Sequence, residues 1–133
     1  MLLADAADVV GGKLYVLGGG WSQLGAPDVP TNMALAIKID VPWDETNRRH
    51  QVVATLITAD GEQVELNGEP IRAHMEFEVG RPPGLPLGTS IDAPLALSFS
   101  GVALAAGGYV WELEIDGQPA ARTPFRVLAL DGT

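Results

Sequence analysis

Apolar and polar residues alternate at every second position along three segments of the chain. In residues 33–41, MALAIKIDV, one face holds only apolar side chains, namely Met33, Leu35, Ile37, Ile39 and Val41. Residues 72–79, RAHMEFEV, and residues 109–116, YVWELEID, repeat this pattern. Alternation with a period of two is typical of strands that bury one face. The pattern therefore predicts three strands.

Five further segments fit strands with a less regular alternation: residues 2–10, 13–17, 51–59, 94–101 and 124–130. Residue pairs that tolerate the positive φ angles of hairpin turns separate many of these segments; they are Gly11-Gly12, Asp60-Gly61, Asn67-Gly68 and Asp116-Gly117. No segment of more than ten residues shows a helical apolar stripe free of Gly and Pro. We therefore expect one all-β domain over residues 1–133. The expected fold is an antiparallel β-sandwich of about eight strands with immunoglobulin-like or jelly-roll topology, a small closed barrel being the alternative.

The glycines of residues 11–24, GGKLYVLGGGWSQL, do not fit a phosphate-binding loop. In the pattern G-x-G-x-x-G the third glycine position holds Gln23, and Gly12-Lys13 is followed by Leu14 instead of Ser or Thr. They predict a hairpin turn and then a strand exit or bulge. Two Pro/Gly-rich connections, residues 18–32 and 80–92, predict stiff loops beside a sheet edge, where a binding function would lie most easily.

The formal net charge of −9 disfavours nucleic acid and anionic membrane surfaces as partners. The chain has no Cys, which removes disulfides, thiolate zinc sites and cysteine nucleophiles and suits a reducing cytoplasm. The start, MLLADAADVV, lacks a basic region and carries Asp5 and Asp8, so we expect no signal peptide. No apolar run approaches the roughly 20 residues that cross a bilayer. We expect a cytoplasmic protein.

Residues that could perform catalysis are few. His50 lies just before a strand and His74 on the charged face of another, so we interpret both as surface residues. Three acidic pairs fit a solvated face better than a glycosidase or calcium site: Asp44-Glu45, Glu76/Glu78 and Glu112/Glu114. We predict no catalytic residue, no cofactor and no metal site. A hydrolase that uses His50 with Asp44 or Glu45 is the third hypothesis.

The segment KLYVL is apolar on both faces, with Leu14 and Val16 on one side and Tyr15 and Leu17 on the other. A sandwich strand buries only one face, so a loop or another chain must cover the second. We therefore predict a non-enzymatic interaction or structural domain that forms a homo-oligomer, with a dimer favoured, and that has a protein partner of unknown identity.

The tryptophans support an alternative function. Trp111 alternates with core residues and is predicted to be buried, whereas Trp21 and Trp43 lie in or beside loops. Loop tryptophans can form the aromatic platform of a carbohydrate-binding module, which is the alternative function. The candidate partner-contact residues are Trp21, Trp43, Tyr15 and Leu17.

Several blocks of the chain resemble a known family. They are ADAADVVGGKLYVLGGGW, VPWDETNRRHQVVATLITADGEQV, FEVGRPPGLPLG, GGYVWELEIDGQ and TPFRVL, in this order. They are similar to a family of small bacterial proteins, frequent in actinobacteria, that carries only a domain-of-unknown-function label. The resemblance implies a cytoplasmic bacterial β-sandwich and assigns no activity, cofactor or catalytic residue.

Overall fold

The structure is a computed structural model that describes residues 1–129 and contains eleven strands within them. A single 3₁₀ turn, Trp43–Glu45, is the only helical element in this range. The predicted all-β class is thus confirmed. The strands are β1 (Leu2–Val10), β2 (Lys13–Gly19), β3 (Gln23–Leu24), β4 (Thr31–Val41), β5 (His50–Thr58), β6 (Glu65–Leu66), β7 (Glu69–Pro70), β8 (Arg72–Phe77), β9 (Ile91–Val102), β10 (Gly107–Ile115) and β11 (Gln118–Val127).

The strands form two main sheets that face each other. The first sheet has the order β2-β1-β4-β9, and the second has the order β3-β11-β10-β5-β8. A separate two-stranded ribbon, β6-β7, follows β5. Side chains from both sheets meet in one buried apolar cluster, which confirms the predicted β-sandwich.

All eight predicted strands are present, with ends shifted by up to six residues. The last predicted strand began at 124, whereas β11 begins at Gln118, and its final residue, 130, lies outside the described residues. The three additional strands, β3, β6 and β7, have two residues each. β3 pairs in parallel with β11, at one edge of an otherwise antiparallel sandwich. This parallel pair forms because the 18–32 connection runs alongside β11 for two residues, Gln23 and Leu24.

The predicted turns lie where the sequence places them. Gly11 and Gly12, which join β1 to β2, have φ angles of 59° and 74°. Asn67-Gly68 and Asp116-Gly117 adopt the same left-handed conformation between their strands. Two consecutive positive φ angles are typical of the type I′ turn, whose twist matches that of the two strands in a two-residue hairpin. The first glycine pair therefore turns the chain and has no further role in the fold.

The core lies between the two sheets and is centred on Trp111 of β10. Its side chain is completely buried, and its ring lies 4.3 Å, centroid to centroid, from that of Phe99 on β9. Leu3 of β1 and Leu35 of β4 reach the same cluster from the first sheet, and Leu56 of β5 reaches it from the second. Burying a large side chain contributes about 1.5–3 kcal/mol, so this layer supplies much of the stability of the fold.

We predict that Trp111→Ala lowers the free energy of unfolding by about 3–5 kcal/mol, because it leaves a cavity between the sheets. Leu87→Ala is the matched control: Leu87 is 88% exposed, so its truncation should change stability by no more than about 0.5 kcal/mol. Urea unfolding of both variants measures the difference. Equal losses in the two variants would show that Trp111 does not join the sheets as described.

Candidate functional site

The β1-β2 hairpin extends beyond the sheet to which it belongs. Only Leu2, Leu3 and Ala4 of β1 pair with β4, opposite Ala36, Leu35 and Ala34. The pairing of β1 with β2 begins at Ala4 and continues to the Val10–Lys13 pair beside the turn. Residues 5–18 therefore form a two-stranded arm, which we call the hairpin arm. Within it, β2 is an outer strand of the first sheet.

Large apolar side chains of the hairpin arm are in contact with solvent. Tyr15 is 56% exposed, Val16 41% and Leu17 72%. Of the nine large apolar residues that are exposed in residues 1–129, five belong to β1 or β2. Single exposed apolar residues are common on protein surfaces, but a contiguous group indicates a contact site. The predicted contact residues Tyr15 and Leu17 thus lie together here.

An open hollow lies between the hairpin arm and the outer face of the first sheet. Its volume is about 690 Å³, and its lining includes Ala6 and Leu17 of the arm and Ser98 of β9. Ser98 pairs with Ala34 of β4, whose side chain is 1% exposed. The KLYVL segment was predicted to need a cover for its second apolar face. Tyr15, Val16 and Leu17 of this segment border the open hollow instead.

The second glycine cluster shapes the base of the hairpin arm. Gly18 has a φ angle of 60°, and the Asp5 carboxylate occupies the space that a Cβ at Gly18 would take. A Cβ at Gly19 would lie only 2.6 Å from Cγ1 of Val16. A larger residue at Gly18 would adopt a strained backbone, and one at Gly19 would have to displace the side chains of Val16 and Leu2. Both glycines lie at the end of β2, as a strand-exit role predicts.

The two loop tryptophans lie at opposite ends of β10. Trp21 packs edge-on against Phe125, with ring centroids 6.0 Å apart, near the start of β10. Trp43 lies near the far end of β10, and the Arg81 guanidinium covers its ring at 4.3 Å from the centroid. Seven residues of strand span about 20 Å, so the two rings do not form one platform. The structure brings neither of them to the hairpin arm.

His50 is buried, so the interpretation of His50 as a surface residue is wrong. The side chain is in phase with Val52, Ala54 and Leu56, the buried face of β5, and the residue is 4% exposed. Its ring stacks on Phe77, with centroids 5.1 Å apart. The predicted strand began at residue 51. A start at residue 50 would have placed His50 on the buried face by the same alternation. His74, by contrast, is exposed on β8, as predicted.

Both ring nitrogens of His50 have hydrogen-bond partners. Nδ1 lies 2.7 Å from a carboxylate oxygen of Asp116, and Nε2 lies 2.7 Å from the carbonyl oxygen of Glu45. Each ring nitrogen thus lies within hydrogen-bond distance of an oxygen atom of the chain. Neither nitrogen is free to take a proton from a substrate or to bind a metal. His50 therefore connects the β10-β11 turn to the 3₁₀ turn.

Asp116 completes this connection. Its second carboxylate oxygen accepts a hydrogen bond from the backbone N–H of Gln51 at 2.9 Å. The hydrogen bond from His50 and then that from Gln51 stabilise the carboxylate and lower the pKa of Asp116. An open hollow of about 410 Å³ adjoins the group and is lined by Ile39, Phe77 and Ile115 beside the paired Glu45 and Arg48. At this end of the sandwich, Asp116 is thus paired with His50, and Glu45 is paired with Arg48.

Within residues 1–129, no three or more His, Asp and Glu side chains are grouped so that they could hold a metal ion. The same part of the chain has no helix that is long and apolar enough to cross a membrane.

Comparison with known proteins identifies the family. The family model of DUF6941, described as a family of unknown function, matches residues 1–128. The chain belongs to DUF6941. The resemblance to a domain of unknown function is thereby confirmed, and the match covers both sheets of the sandwich. No curated protein and no solved structure matches the DUF6941 chain.

We predict that Asp116→Asn destabilises this DUF6941 chain at pH 7 by about 1 kcal/mol, since a charged hydrogen bond at a partly exposed site is lost. Asn tolerates the φ angle of 52° found at this position. The pKa of Asp116 is lower in the folded chain than the value of about 3.9 expected in the unfolded chain. Its carboxylate therefore stabilises the fold above about pH 4, and this contribution is lost as the pH falls through the folded-state pKa.

Urea unfolding at several pH values tests the prediction. The gap in stability between the native chain and Asp116→Asn should close as the pH falls below about 4 and through the folded-state pKa of Asp116. Asp60→Asn, in the turn after β5, is the matched control and should show a much smaller gap at pH 7. A gap for Asp116→Asn that is unchanged at low pH would contradict the ionic role of this carboxylate.

Proposed function

We propose that this chain is a non-enzymatic interaction domain that self-associates, as a dimer, through the hairpin arm. The observation that carries the proposal is the contiguous exposure of Tyr15, Val16 and Leu17 on an outer strand. Leaving three such side chains in water is unfavourable, and contact with an equivalent surface removes them from it. A two-fold dimer brings the same surface of both copies together.

The charge distribution supports this surface as a contact between two copies. The chain has 17 acidic and 8 basic residues, so two copies repel each other at most orientations. β2, KLYVLGG, carries Lys13 and no carboxylate. Two copies can therefore meet at β2 without bringing the carboxylates of one strand against those of the other. The acidic residues of the arm, Asp5 and Asp8, lie on β1.

The arrangement around His50 supports the non-enzymatic part of the proposal. A general base needs a nitrogen within reach of the proton that it takes from a substrate. In His50 both nitrogens are already engaged with Asp116 and Glu45. His74 lies on the exposed face of β8, where its Nε2 is 2.5 Å from the side-chain oxygen of Gln51.

We predict that the purified chain is a dimer at micromolar concentration and that Leu17→Lys shifts it to the monomer. The lysine places a hydrated charge in the proposed contact and should weaken the dissociation constant at least about tenfold, equivalent to about 1.4 kcal/mol. Leu17 is 72% exposed, so the substitution should leave the monomer folded. Gel filtration with light scattering measures the mass, and circular dichroism checks the fold.

Leu87→Lys is the control for this experiment. Leu87 is even more exposed, at 88%, and lies in the connection between β8 and β9, outside the hairpin arm. The substitution adds the same charge and should leave the dimer intact. A native chain that is monomeric at micromolar concentration would refute the proposal. Equal dissociation by both variants would place the contact elsewhere.

We also predict that salt strengthens the dimer. Each copy carries a formal charge of −9, and added salt screens the long-range repulsion between the copies. The apolar contact itself does not depend on screening. The dissociation constant, measured by sedimentation velocity, should therefore decrease between 50 and 500 mM NaCl. An increase over this range would indicate that ion pairs, and not the apolar residues of the arm, hold the copies together.

A further inference from the structure

We propose that the two copies join edge to edge, with β2 of one copy pairing in antiparallel fashion with β2 of the other, so that the first sheet continues across the dimer. This inference rests on the proposed function and specifies the geometry of the contact. The occupant of the β2 edge is a second copy of the same chain. The sheet that results has eight strands, four from each copy.

The four outer strands of the two sheets differ in how they are protected against pairing. β8 carries Arg72, His74 and Glu76 at alternating positions, and β9 contains Pro94, which cannot donate a backbone hydrogen bond. β3 has only two residues. Charges, proline and short length are the usual means by which proteins prevent strands from adding to an edge. Three of the four edges thus carry such protection.

β2 lacks these protections over most of its length. It is seven residues long, contains no proline, and has Lys13 at its first position as its single charge. An edge strand of this kind presents unpaired backbone N–H and C=O groups to any strand that can align with them. It is therefore the outer strand best suited to extend its sheet.

The exposure of side chains on both faces of β2 favours edge pairing over packing of two faces. Tyr15 and Leu17 point to one face, and Val16, which is 41% exposed, points to the other. Contact between two faces would cover one of these sets and leave the other in water. Pairing at the edge brings each set against its counterpart on the same face of the partner strand.

Symmetry sets the strand direction. A two-fold axis perpendicular to the sheet relates two neighbouring copies of one strand only when they are antiparallel. The axis then passes beside one residue, whose two copies face each other with Cα atoms about 4.5–5.5 Å apart. The apolar residues of β2, Leu14 to Leu17, are centred between Tyr15 and Val16. One of these two residues lies on the axis.

Stable interfaces cover about 800 Å² of each partner, which is more than a pair of short strands provides. The hollow of about 690 Å³ beside Leu17 and Ser98 offers additional surface close to the edge. Side chains of the partner's arm can enter it once the strands are paired. The backbone pairing and the filling of the hollow then both stabilise the dimer.

Disulfide formation between single cysteines tests the geometry, since the chain has no cysteine of its own. Four variants, Leu14→Cys, Tyr15→Cys, Val16→Cys and Leu17→Cys, are oxidised as dimers and the covalent dimer is quantified. Disulfides require Cα atoms about 4.4–6.8 Å apart. We expect one maximum, at position 15 or 16, and a decline on both sides of it. Leu87→Cys measures cross-linking by random collision.

The outcomes separate the geometry from the proposed function. Maxima at positions 15 and 17 with little at 16 would show face-to-face packing, which overturns edge pairing and retains self-association through the arm. No cross-link above the Leu87→Cys level, in a species whose mass is that of a dimer, would also overturn edge pairing. A monomer in every variant and in the native chain would overturn the proposed function itself.

Hydrogen exchange provides a measurement without substitutions. Outward-facing amides of an unpaired edge strand exchange rapidly, and pairing with a second strand protects them. We expect protection in residues 14–17 to rise as the protein concentration is raised through the dissociation constant. Rates in β2 that do not change with concentration, in a chain that does dimerise, would contradict the pairing.

Discussion

The apolar layer between the two sheets is the constraint on which the structure depends. Trp111 lies at its centre, in contact with Phe99 from the opposite sheet, and Leu3 and Leu35 extend the layer along the first sheet. A strand can give only one of its faces to this layer. The position of each residue along a strand therefore decides which side chains remain available for other contacts. In β1 and β2, where the arm extends beyond the layer, apolar residues remain exposed on both faces.

Much of this arrangement follows from local sequence. The alternation in residues 33–41, 72–79 and 109–116 identifies strands because burial of one face imposes a period of two. The Gly11-Gly12 turn follows from the φ angles that a tight hairpin requires. The exposure of Tyr15 and Leu17 was predictable as well, since two apolar faces on one strand exceed what a sandwich can bury. Each of these features is determined by residues that are neighbours in the sequence.

The features that sequence reasoning missed depend on distant residues. His50 is separated from Asp116 by 66 residues, and only the pairing of β5 with β10 brings them together. Read along the sequence, Asp116 is simply a turn residue and His50 precedes a strand. Likewise, β3 exists because the chain passes beside β11, and two residues carry too little pattern to indicate a strand. The separation of Trp21 and Trp43 to opposite ends of β10 is another consequence of topology.

The narrow junction between β1 and β4 has a consequence for the energetics of the fold. Three residue pairs join β1 to β4, while β4 and β9, and likewise β10 and β11, are joined through longer ladders. Such a junction allows a subglobal opening, in which the arm detaches and the apolar layer stays closed, at a lower free energy than complete denaturation. The hairpin arm is therefore the part of the domain that is expected to open first. A contact that holds the arm against the sheet opposes this opening before it changes the stability of the rest of the domain.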